Sequence, residues 1–320
     1  MIDLRALNVF MEVATTCSMT AAAARMGLTQ SAVSQTIRKL EDELAVTLIR
    51  KDKRPIALTK AGQALREHGR SLLIEASRLP HRLMEAGSGK PREIRIGLVD
   101  TFASTAGPEL ALELMRSTPR VVMWSGLSPS LGAALLQREV DVIVTSDALD
   151  GVDGLDRHEL WSEPFMLLVP HLRRPELEGL PLKALAACLP MIRYSSRSYT
   201  GMQIDRHLRR LNIDIERRIE VDSSDALVAM VAAGVGWAIS TPLCLIQGGP
   251  RAGEVAALRL PSPGFSRTLS VVCRTEGPRL LAAEITVMAA KVLRRICAAH
   301  RDALDAVIAA QIDIRRQEIA

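Results

Sequence analysis

Apolar positions in the first eighty residues repeat with helical periods. Leu4, Leu7, Phe10, Met11 and Ala14 follow spacings of three and four, which predicts a helix over 4–14. Ser18 is suited to cap a short second helix ending at Met26, and Gly27-Leu28 supplies a tight turn. Thr29 caps a third helix running to about Leu44. Between Val46 and Leu58 short apolar runs flank Pro55, a pattern that reads as a two-stranded wing. Thr59 then caps a long helix with Leu58, Leu65, Leu72 and Leu79 one heptad apart and Ala76 and Leu83 beside them. A seven-residue repeat suits pairing with another helix, most simply the same helix of a second copy, through Leu65, Leu72, Ala76, Leu79 and Leu83. Packing on its own domain is the alternative. Pro80 is expected to kink or end the ladder, and Gly87-Ser88-Gly89-Lys90-Pro91 marks a linker.

Beyond the linker the pattern changes to short apolar strands alternating with helices. Ile94–Val99, Val121–Trp124 and Asp141–Val144 read as strands, with helices near 107–116 and 129–138. A second set follows: Phe165–Val169, Met191–Tyr194, Arg218–Val221 and Trp237–Ser240, with helices near 201–211 and 224–233. Leu269–Cys273 and a helix from about Pro278 complete it. Such alternation predicts two doubly wound halves with parallel sheets, and a cleft between them at the carboxyl ends of the strands.

Charge sharpens this division. Residues 1–90 carry 14 basic and 9 acidic side chains, and the other 230 carry 27 of each. The whole excess of +5 therefore lies in the first ninety residues, a small basic module joined to a neutral larger one. An aromatic content of 3% argues against single-strand nucleic-acid binding by stacking. No run of 18 apolar residues is present, and Asp3, Arg5 and Glu12 interrupt the N-terminal apolar stretch, so a cytoplasmic location is expected. The five cysteines form no CxxC and are expected to be small buried residues; no metal site, disulfide framework or cofactor is anticipated.

On the third helix Ser31, Ser34, Gln35 and Arg38 share one face, roughly 140° from the face of Val33, Ile37, Leu40 and Leu44. Short neutral donors and acceptors with one guanidinium suit base edges in a major groove, although a solvated helix face has the same composition. The wing adds Arg50, Lys51, Lys53 and Arg54, with Lys60, against Asp52 alone. That density attracts phosphates.

These residues carry a family resemblance. The run SMTAAAARMGLTQSAVSQTIRKLEDEL (Ser18–Leu44) and the later RPIALTKAG (Arg54–Gly62) resemble the signature of LysR-type transcriptional regulators. The resemblance covers about 1–295. It implies a winged helix-turn-helix over 1–58, a linker and dimerisation helix over 59–86 and a hinge at 87–92. It further implies an effector-binding domain over 93–300, similar to type 2 periplasmic binding proteins, with subdomain I at 93–162 and 267–300 and subdomain II at 163–266. Residues 301–320 read as an extra C-terminal helix. By resemblance Gln30, Ser31, Ser34 and Gln35 contact bases, with Arg38 and Arg54 close to double-stranded DNA. Ser31 stands where many members have proline, and Gln35 where they often have arginine.

The position of the strand ends makes Val99, Asp100, Thr101, Ser128, Thr145, Ser146, Ser195, Ser196, Arg197, Ser240 and Thr241 the cleft-facing candidates. Helix N-terminal amides and hydroxyls favour a carboxylate, with Arg197 in support, whereas Asp100 favours a zwitterion or an amine. The resemblance implies a homodimer that assembles to a homotetramer and acts with RNA polymerase, as activator or repressor. Two alternatives are a DNA-binding architectural protein without effector response and an α/β enzyme. GLVDTFASTAG after the first strand of the larger module is not GxGxxG, and neither GxxxxGK[ST] nor GxSxG occurs, so an enzyme is disfavoured.

Overall fold

The computed structural model describes residues 2–50, 55–88, 93–277, 279–300 and 312–314. The chain divides into an N-terminal unit extending to residue 91 and a larger unit after it. The first contains α1 (Leu4–Thr16), α2 (Met19–Met26) and α3 (Gln30–Leu44), then the antiparallel pair β1 (Ile49–Arg50) and β2 (Ala57–Leu58), then α4 (Lys60–Ser88). Each short helix is capped by the side chain its sequence offers: Asp3 to Arg5 N, Ser18 to Ala21 N and Thr29 to Ala32 N. Gly27 ends α2 at φ +66°, a conformation glycine adopts without the Cβ penalty, and sets the turn between α2 and α3. Leu7, Phe10, Val13, Val33, Ile37 and Leu40 interdigitate in one fully buried core.

Two features of α4 differ from expectation. Of the kink or end expected at Pro80, the end does not occur: the helix continues to Ser88 with the proline inside it. Leu65, assigned by its heptad position to a partner helix, packs with Ala61 and Leu73 on the head's own core. Leu72, Leu79 and Leu83 are 49%, 56% and 68% exposed, so this core does not use them. Ala76 is half-buried. Gly62, in the first turn of α4, has no room for a side chain: a Cβ there would stand 2.1 Å from the Leu48 carbonyl oxygen.

In the larger unit β3 (Glu93–Val99) pairs parallel with β4 (Arg120–Gly126) and β5 (Val142–Thr145). Their connections are α5 (Asp100–Thr105), α6 (Gly107–Leu114) and α7 (Ser128–Leu136). β6 (Leu155–Pro164) leaves this half and β12 (Ser266–Arg274) returns to it, lying between β6 and β5 and antiparallel to both. With β13 (Asp313–Ile314) the sheet order is β13-β6-β12-β5-β3-β4. The second half has β7 (Met166–Pro170) between β10 (Ala238–Ser240) and β11 (Val255–Arg259), all antiparallel. Beside them β8 (Ile192–Tyr194) and β9 (Ile219–Val221) are parallel, joined to the rest by a Met191–Trp237 bridge. Helices α8 (Arg174–Leu177), α9 (Leu182–Cys188), α10 (Tyr199–Arg210), α11 (Ser224–Ala232) and α12 (Pro242–Gln247) belong to this half, and α13 (Arg279–Ala299) returns to the first.

The sheets are therefore not parallel throughout: in the first half the two strands that cross between the halves run against their neighbours, and in the second β7 runs against both β10 and β11. Of the expected C-terminal helix, 301–311 and 315–320 lie outside the described residues. Asp313–Ile314, within it, form a strand on β6 in register with Ser162 and Trp161. Cys244 and Cys273 are buried and Cys297 half-buried, but Cys17 and Cys188 are exposed, contrary to the expectation of five small core residues.

Candidate functional site

Burial along α3 follows its 3.6-residue period. Val33, Ile37 and Leu40 are inside; Gln30, Ser31, Gln35 and Arg38 are exposed, and Ser34 is half-buried. The polar residues thus lie together on the face turned from the core. Thr29 fixes the start of this face, its hydroxyl sharing a 3.0 Å hydrogen bond with Ser31 Oγ. At the other end of the helix Glu41 Oε1 accepts the backbone N–H groups of Leu48 (2.8 Å) and Ile49 (3.1 Å). The wing is tied further by Thr59, which donates to the Thr47 carbonyl at 2.6 Å while its oxygen caps Gly62 N. Arg50 is exposed on β1. Lys51, Lys53 and Arg54 lie outside the described residues.

In the larger unit a cavity of about 40 Å³ is walled by the ends of β3, β4, β5, β8 and β9 and the starts of α5, α7, α10 and α11. One wall contributes Val99, Asp100, Thr101, Ser128 and Ser146; the facing wall contributes Tyr194, Tyr199, Thr200, Asp222 and Ser224. Arg267, from the returning strand β12, completes it. The Arg267 guanidinium is buried against Glu163 Oε1 at 2.7 Å, and Glu163 Oε2 accepts the Leu243 N–H at 2.8 Å. Ser128 Oγ and Ser146 Oγ stand 2.9 Å apart. Tyr194 Oη donates to Ser224 Oγ at 3.0 Å and shares a 2.9 Å bond with Ser240 Oγ. Burial pushes the Tyr194 hydroxyl well above the usual phenol range, so it serves as a neutral donor. Asp222 accepts from the Ser195 hydroxyl and from Arg197, and these hold its carboxyl below the usual range. Asp100 Oδ2 accepts from Gln247 Nε2 at 2.9 Å. The walls are thus rich in hydroxyls and helix N-termini, and the charged groups Arg267 and Asp222 already have counter-ions.

Residues 4–63 match the bacterial regulatory helix-turn-helix model of the lysR family, and residues 87–291 match the LysR substrate binding domain. The chain belongs to the LysR family. As a LysR-type protein it is a DNA-binding transcriptional regulator with an effector-binding domain, in a family of regulators rather than enzymes. It is 30% identical over 286 residues to the uncharacterized HTH-type transcriptional regulator YfeR of Shigella flexneri, spanning 88% of this chain and 91% of that one. It is 28% identical over 244 residues to the HTH-type transcriptional regulator XapR of Escherichia coli, spanning 73% and 80%. Its fold matches full-length CbnR, crystallised in complex with its target DNA, at a TM-score of 0.64 with 21% identity, covering 92% of this chain and 100% of that one.

Within this LysR-type regulator the sequence-derived effector candidates separate. Val99, Asp100, Thr101, Ser128 and Ser146 line the cavity. Thr145, Ser240 and Thr241 do not line it; they are fully buried, with Thr145 accepting from Asp147 N and Thr241 Oγ1 lying 3.2 Å from Cys244 Sγ. Ser195 and Arg197 reach the cavity only through Asp222, and Ser196 is exposed on another surface. Arg197, expected to reinforce an anion site, is committed to Asp222; the cation in the cavity wall is Arg267. No helix among the described residues is long and apolar enough to cross a membrane. Among the described residues no group of three or more His, Cys, Asp or Glu could hold a metal ion.

Proposed function

We propose that this regulator reads an operator with α3 and responds to a small polar molecule held in the cavity of its effector-binding domain. Gln30, Ser31, Ser34, Gln35 and Arg38 approach base edges. Arg50, Lys51, Lys53 and Arg54 clamp phosphates and set affinity irrespective of sequence. Two copies pair through Leu72, Ala76, Leu79 and Leu83 of α4, placing two reading helices in successive major grooves about one helical turn apart. The pairs associate into a homotetramer in the cytoplasm, where the complex controls access or recruitment of RNA polymerase. The effector is carboxylate-bearing or zwitterionic, with Thr101, Ser128 and Ser146 on one side and Tyr194, Thr200 and Ser224 on the other.

The observation that carries this reading is that one polar cavity takes walls from both halves of the effector-binding domain. The cavity is small, about 40 Å³, so an effector of more than a few atoms parts the halves and is enclosed as they close again. A ligand that binds the two arrangements with different affinity shifts the balance between them, and with it the operator complex. Filling the cavity tests this. Ser128→Phe is expected to retain operator binding and lose the response to small molecules in fluorescence anisotropy. A variant that still responds like the wild type would place the effector elsewhere.

A further inference from the structure

The charges around the cavity do not cancel. Arg267 is matched by Glu163 and Asp222 by Arg197. Asp100 is bonded instead to the neutral amide of Gln247, and among the described residues it has no ion-pair partner. The residual charge of the lining is therefore negative and sits on Asp100, at the first turn of α5. Two further groups at this end are incompletely satisfied. Thr101, 5% exposed and lining the cavity, has an Oγ1 without a hydrogen-bond partner among the described residues, and so does the buried Oε1 of Gln247. A carboxylate, an unpaired hydroxyl and an amide with a free oxygen form an acceptor-rich corner suited to a cation that donates in several directions.

We infer that Asp100 selects the ligand class: the cavity takes an amino-acid-like zwitterion, with its ammonium on Asp100 and its carboxylate among the hydroxyls and N-terminal turns of α7 and α11. This rests on the cavity being the effector site. Gln247 holds the cationic subsite in the ligand's absence. Its Nε2–H bonds Asp100 across the domain, from α12 of the second half to α5 of the first. An arriving ammonium replaces that amide with a charged donor and breaks this one hydrogen bond where α12 packs on α5, so recognition acts directly on the contact between the two halves. A dicarboxylate would bring a second anion to Asp100, and a closed, water-poor site would strengthen that repulsion.

The test uses the full-length protein and the twenty protein amino acids, each beside the 2-hydroxy acid that replaces its amine by a hydroxyl, with succinate as a dicarboxylate. Thermal shift identifies binders and calorimetry measures them. One or more amino acids are expected to bind while their hydroxy acids and succinate do not. Asp100→Asn should weaken that amino acid on the order of tenfold to a hundredfold, the range for losing a hydrogen bond to a charged group. Asp100→Glu should keep the preference for the amine. The melting temperature of each ligand-free variant separates misfolding from lost recognition. The proposal is overturned if hydroxy acids or succinate bind as well as the amino acids, or if a folded Asp100→Asn protein binds unchanged. If neither class binds and operator binding ignores both, the cavity reading itself fails, and this inference with it.

Discussion

Glu41 Oε1 accepts the backbone N–H of Leu48 at 2.8 Å, so the last turns of the reading helix hold the approach to the wing. The same oxygen accepts Ile49 N, the first residue of β1. Glu41→Ala leaves both donors without this acceptor and is expected to cost about 1–3 kcal/mol in urea denaturation. It should also lower affinity for all DNA sequences together, since a loosened wing affects how the phosphates are held. An unchanged denaturation midpoint would show that the bond does not organise the wing.

Base reading and phosphate clamping separate by their salt dependence. Gln35→Ala or Arg38→Ala is expected to weaken operator binding by about 1–3 kcal/mol and leave non-specific binding nearly intact. Neutralising Lys53 and Arg54 should weaken every sequence similarly and reduce the slope of log affinity against log salt by about 1 for each phosphate that the wing ceases to neutralise. Normal operator binding by both reading-face variants would move the reading face elsewhere, and an unaltered slope would remove the wing from the phosphate backbone.

The exposed stripe on α4 predicts the oligomer. Leu72 is 49% exposed within one chain, so Leu72→Asp places little strain on the folded subunit. A charge at a coiled-coil seam is incompatible with a dry interface. The variant is expected to keep its helical circular dichroism and show a smaller mass in light scattering. A wild-type mass would remove α4 from the dimer interface.

Arg267 and Glu163 are 3% and 0% exposed and form a pair that is costly to break singly. Arg267→Met leaves a buried carboxylate uncompensated and is expected to lower stability by about 3–5 kcal/mol. The double change to Met at both positions should recover much of that loss, because the buried charge has gone. Equal destabilisation in the single and double variants would show that the pair is not coupled.

The N-terminal unit is largely legible in the sequence because each of its decisions is local. Ser18, Thr29 and Thr59 cap where a hydroxyl precedes an apolar period, and Gly27 turns where a positive φ is needed. Leu65 departs from its heptad assignment because a heptad position says that a side chain is buried and not by which surface. In the larger unit β6 escapes the pattern because its polar residues are satisfied internally. Arg157 donates to the carbonyls of Ala148, Leu149, Val152 and Leu155, and Glu163 holds Arg267, so a partly buried strand carries charges that read as a loop. The cavity is half legible for a related reason. Val99 to Thr101, Ser128 and Ser146 follow strands, where the rule for open sheets looks for ligands. Asp222 follows β9 and is within reach of the same rule. Tyr194 ends β8 and is within reach of it too, whereas Arg267 sits inside β12, and only the pairing of distant segments brings it to the cavity.

The proposed regulator joins specific DNA reading to a small-molecule response in one chain. Footprinting of the full-length protein on the DNA upstream of its own gene, with and without amino acids and small carboxylates, tests it most directly. The expected result is protection of two half-sites centred about one helical turn apart, with a pattern that changes when one of these compounds is added. Protection that no compound alters, or no protection beyond that of unrelated DNA, would contradict it.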